Sequence, residues 1–140
     1  MTPLQSGLPL AVGDHERLAR FIPSSGWFAK TTGRVKHQAF LPAADHETSV
    51  ARSTGLPEHR LWQLGEEYLR GKHFYGAAVV PAAIIRRNML EAVPQEPPLF
   101  HANVLGWPVE SDPELQKARR KAIAESIAED AVLLLRQSVS

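Results

Sequence analysis

The stretch that most constrains this chain is residues 74–87, FYGAAVVPAAIIRR, its densest run of apolar and β-branched residues, with charged residues on both flanks. A continuous apolar run of this kind is consistent with an element buried on both faces. The remaining segments must therefore supply two covering layers. Pro81 divides the run, and two readings follow. As a helix, Ala82, Ile85, Met89 and Ala92 share one face; as a strand, the run continues to Arg86 and turns back through Asn88 into MLEAV. The β-branched content favours the strand over residues 81–93.

A helix is expected over residues 57–70, opened by Pro57 and closed by Gly71. Leu61, Trp62, Leu64, Tyr68 and Leu69 form its apolar stripe, opposite Glu58, Arg60, Gln63, Glu66, Glu67 and Arg70. Residues 34–40, RVKHQAF, alternate as a half-buried strand with Val35, His37 and Ala39 inward. TSVAR at 48–52 and LFHANVL at 99–105 carry similar patterns, the latter with His101 and Asn103 outward. Ser111 and Glu114 form a capping box for a last helix over residues 112–136, whose apolar stripe includes Leu115, Ala118, Ile123 and Ile127. Residues 1–13, with two prolines and two glycines, read as a flexible leader, and residues 14–140 as one domain. The predicted fold class is α+β: a mostly antiparallel sheet of about five strands, covered by the mid-chain and C-terminal helices.

Composition excludes several chemistries. The chain has no cysteine, which removes disulfides, thiolate metal sites and a thiol nucleophile. A reducing, cytoplasmic setting is expected, with no secretory signal and no apolar stretch of membrane-spanning length. The net charge of +1 conceals an asymmetry: residues 1–87 hold 11 basic and 7 acidic groups, and residues 88–140 hold 5 and 8. A nucleic-acid binder usually shows a stronger and more clustered excess, so the split only slightly favours an anionic partner, and nucleic acid stays a possible one beside protein.

Six histidines offer acid–base chemistry. HExxH and His pairs at ligand spacing are absent, as are GxxxxGK[ST], GxGxxG and GxSxG, so no metal and no cofactor is expected. The residues that carry a catalytic reading are His37 and His101 as acid or base, and Arg52 as a phosphate-stabilising cation. Those that carry a binding reading are Trp107, after a strand, and the cluster Lys117, Arg119, Arg120 and Lys121. This cluster lies in the first half of a helix, where positive charge opposes the macrodipole.

The combination of TSVAR at 48–52 and HANVLGWP at 101–108 resembles a layout found in a family of uncharacterised small bacterial proteins. The resemblance implies a prokaryotic, cytosolic protein and assigns no residue a role. Because every catalytic signature tested is missing, the expected function is a non-enzymatic binding or adaptor module, with a protein partner, in a larger assembly. The alternative is a metal-independent enzyme on RNA or a nucleotide, using His37, Arg52 and His101.

Overall fold

The computed structural model describes residues 3–137. Its strands are β1 (Arg17–Ile22), β2 (Phe28–Ala29), β3 (Arg34–Val35), β4 (Thr48–Arg52), β5 (Gly76–Pro81), β6 (Glu91–Pro94), β7 (His101–Leu105) and β8 (Val132–Leu135). The helices are α1 (Glu58–Tyr68), α2 (Ala82–Arg87) and α3 (Pro113–Glu129). Six strands form one antiparallel sheet in the order β6-β7-β4-β1-β5-β8, and β2 and β3 form a separate hairpin. The chain is thus an α+β domain of the predicted class, with one more strand in the main sheet than expected.

The apolar run at 74–87 lies at the heart of the sheet only up to Pro81. Ala77 and Ala78 and the neighbouring Leu18, Ala19 and Ile22 of β1 are fully buried, because layers cover both faces. On one face α1 lays Leu61 and Leu64 against Ala19, Phe21, Ala51 and Ala77. On the other, Ala124, Ile127 and Ala128 of α3 and Ile84 and Ile85 of α2 join Leu18, Val50, Val80, Ala102 and Val104.

Four local expectations need correction. Residues 81–93 are not one strand: Pro81 ends β5, Ala82–Arg87 form α2, and β6 begins at Glu91. Pro81 supplies the extended residue ahead of the helix, where its missing N–H costs nothing. The helix expected over 112–136 ends at Glu129, and Val132–Leu135 pair with β5 instead. Its buried face is Arg120, Ala124, Ile127 and Ala128, while Leu115 and Ala118 are exposed. The strand expected over 34–40 stops at Val35, and His37–Ala39 form a 3-10 turn against α3. His101 and Asn103 do not face solvent, because β7 is covered on both sides and both residues are buried.

The first described residues run along one end of the sheet. The Ser6 amide donates to Glu96, the Pro9 carbonyl accepts from Arg52, and Val12 is buried, its carbonyl accepting from Arg86.

Candidate functional site

The three residues with a catalytic reading do not meet. The Arg52 side chain is 0% exposed. It donates to both carboxylate oxygens of Glu16 and to the Pro9 carbonyl, on the sheet face that carries Val50 and Leu18. A guanidinium already neutralised and desolvated in this way holds structure and has no charge to offer a substrate. His101 lies on the opposite face, its ring 5.7 Å from that of Tyr68 in α1. His37 opens the 3-10 turn beside α3, on the side away from His101.

His101 is engaged at both ring nitrogens. Nδ1 lies 2.8 Å from the Gln95 carbonyl, which can only accept, so Nδ1 carries a proton. In the neutral ring Nε2 is then the bare nitrogen and accepts from the Ser49 hydroxyl at 2.7 Å. A hydroxyl hydrogen-bonded to an oriented imidazole is the start of a nucleophilic site. The neighbouring polar groups, however, are turned to other partners. The Asn103 amide donates to Gln95 and the Tyr68 hydroxyl to the Leu99 carbonyl. Burial, with Glu96 and Glu67 adding, pushes the Tyr68 hydroxyl well above its ordinary pKa, so it remains a donor. The Ser49–His101 pair therefore ties β4, β7 and the segment before β7 together. Its members are 52 residues apart, a separation that carries no sequence signal.

The cationic residues of α3 do converge. Arg120 and Lys121 stand three and four residues after Lys117, on the same side of the helix as it. With His37 they line a cleft of about 290 Å³, walled by Leu41, Pro42 and Pro113. None of its lining residues is acidic. Arg120 is 9% exposed, yet only part of its guanidinium is engaged. Nε donates to the Pro108 carbonyl at 2.9 Å and Nη2 to Nδ1 of His46 at 2.9 Å, whereas Nη1 has no hydrogen-bond partner among the described residues. The first turn of α3 adds its positive dipole end, partly satisfied by the Asp112 cap on Glu114. A second cleft, about 490 Å³, continues on the far side of His37 with Arg34 and Lys36, opposed there by Glu125 and Glu129.

Two binding candidates stand apart from this cleft. Arg119 points to the other side of α3 and pairs with Glu110. Trp107 is 5% exposed in the core, and its indole N–H has no partner among the described residues. It plugs the sheet–helix interface and presents no ring to a ligand.

Among the described residues, no group of three or more His, Asp or Glu is placed to hold a metal ion, and no helix is long and apolar enough to cross a membrane. Comparison with protein-family models, curated proteins and solved structures gave no match. The reading of the site rests on its geometry.

Proposed function

We propose that this protein is a non-enzymatic binding module that holds an acidic segment of a protein partner in the cleft between residues 37–42 and α3, in the cytoplasm and within a larger assembly. The observation that carries this reading is Arg120, a buried guanidinium whose Nη1 is unclaimed by any described residue, in a cleft with three further basic side chains and no carboxylate. A guanidinium fixed by its other arms, with Nη1 left to solvent, gains a charge-assisted, directional hydrogen bond when a carboxylate arrives, and Lys117 and Lys121 add attraction at longer range. The lining supports a peptide over single-stranded nucleic acid, because it contains no Phe, Tyr or Trp on which bases would stack. The lack of cysteine supports a reducing compartment.

The enzymatic alternative required at least two of His37, Arg52 and His101 at one substrate. Arg52 is neutralised by Glu16 and His101 lies across the sheet from His37, so the geometry favours the binding reading.

The test is titration with a Glu-rich peptide and, separately, with a single-stranded oligothymidylate, at ~50 and ~200 mM salt. The expected result is tighter binding of the peptide, weakened about tenfold or more by Lys117→Glu with Lys121→Glu and reduced at the higher salt. Tighter binding of the oligonucleotide would transfer the cleft to nucleic acid. Peptide binding that ignores the charge reversals would remove the cleft from the function.

A further inference from the structure

The two edges of the main sheet differ in a way that predicts an assembly. Backbone pairing in an antiparallel sheet alternates, so every second residue of an edge strand turns its N–H and C=O outward. At one edge, the Gln95 amide donates to the His101 carbonyl, which leaves Ala92 and Pro94 of β6 as the outward residues. Both are blocked. Pro94 has no N–H, and the Ala92 N–H is taken by the carboxylate of Glu91, itself held by Arg86.

At the other edge, the Ala82 amide donates to the Glu16 carbonyl and the Arg136 amide to the Tyr75 carbonyl. Both bonds set the same alternation: Val132 and Leu134 bond to β5, and Leu133 and Leu135 turn their backbone groups outward. These outward N–H groups make no hydrogen bond to any described residue outside the strand; β3 of the separate hairpin packs close to β8 but does not bond to it. The strand carries no proline and no charge, and Val132, Leu134 and Leu135 are 60%, 40% and 45% exposed. An apolar edge whose outward N–H groups are unpaired among the described residues is a template for another strand.

We propose that two copies of this chain pair antiparallel through β8, about a two-fold axis at Leu134, to join two six-stranded sheets into one. The outward residues lie symmetrically on either side of Leu134, so Leu133 of each copy exchanges two hydrogen bonds with Leu135 of the other. The strand is complementary to itself, and the pairing opposes no like charges, since Val132 meets Arg136. The blocked β6 edge keeps the assembly from continuing edge to edge, so it closes at two copies. The interface lies outside the basic cleft and does not depend on the function proposed for it.

The native chain has no cysteine, so a single introduced thiol reports the pairing directly. In Leu134→Cys the two thiols face each other as a non-hydrogen-bonded pair, where side chains approach most closely, and mild oxidation should cross-link the pair. In Leu135→Cys they sit opposite leucines and should cross-link at least tenfold more slowly. In solution the wild type should have twice the 15.5 kDa mass of one chain. Leu135→Pro removes only an outward N–H and should give the mass of a single chain with its far-UV circular dichroism unchanged; if it unfolds, Leu134→Lys supplies the same comparison. A wild type of single-chain mass, a dimer that survives Leu135→Pro and Leu134→Lys, or equal cross-linking of the two cysteine variants would overturn the proposal.

Discussion

Arg52 and Glu16 face each other as a two-point ion pair, Nε to Oε1 and Nη2 to Oε2, both at 2.7 Å. The pair joins the end of β4 to the residue before β1, and the third arm of the guanidinium reaches the Pro9 carbonyl at 2.8 Å. Arg52→Ala strands the Glu16 carboxylate and frees the leading segment, so we expect a loss of about 3 kcal/mol. The urea midpoint measures it. Peptide binding by the remaining folded protein should not change, because Arg52 is not in the basic cleft.

Acid stability depends on the same contact. The Arg52 hydrogen bond, opposed by partial burial and helped by the Gly13 amide, holds the Glu16 carboxyl below its ordinary pKa. A group depressed in the folded state contributes stability above its unfolded pKa of about 4.3, and that contribution is lost as pH falls through the lower folded value. Glu91 acts in the same direction through Arg86, but it is half-exposed and screened. The melting temperature should therefore fall on acidification below about pH 4.3, and Glu16→Gln should flatten that slope while lowering stability at neutral pH. An unchanged slope in Glu16→Gln would mean that other carboxylates set it.

Leu64 is completely buried between α1 and the sheet, so Leu64→Ala should cost about 2–5 kcal/mol in chemical denaturation. Its neighbour Gly65 is a different case. A Cβ there would stand 2.1 Å from Cζ of Phe74 and 2.9 Å from Cδ1 of Phe21, so the helix approaches those rings at a distance only glycine allows. Gly65→Ala gains ~1 kcal/mol of helix propensity and loses about 1–3 kcal/mol to overpacking. A net loss is expected in the same assay.

Met89 has φ 66° and is 87% exposed. The turn around it, with its own amide bonded to the Arg86 carbonyl and that of Leu90 to the Ile85 carbonyl, is the helix-ending motif in which glycine normally takes the left-handed position. Met89→Gly should raise stability by about 1 kcal/mol, read as a higher melting temperature. A lower one would show that the methionine side chain makes a contact worth more than the strain.

The same turn explains one sequence misreading. Helix α2 has no glycine behind it, so nothing in residues 81–93 announces a helix stop, and β-branched content tipped the reading to a strand. Helix α3 also ends without glycine, with Asp130 as its C-cap, and the apolar residues of β8 continued its stripe by spacing alone. The α1 stripe was legible because proline precedes it, glycine follows it and a charged face opposes it. For the site, the spacing of Lys117, Arg120 and Lys121 was visible, whereas their meeting with His37 was not. Nor were the Arg52–Glu16 and Ser49–His101 pairs, which join residues 36 and 52 positions apart.

The sheet order has a consequence for how the chain reaches this state. β1 lies inside the sheet, yet both strands that bond to it come later: Ala19 pairs with Ala51, and Ile22 with Gly76. During synthesis one edge of β1 has no partner until β4 has been made and the other none until β5, and β5 in turn stays an open edge until β8 arrives. Closing such distant pairs is entropically slow, so a nascent chain exposes β1 first with two bare edges and then, until β5 emerges, with one. That interval is when a chaperone, or another unfinished copy, has its best access to β1.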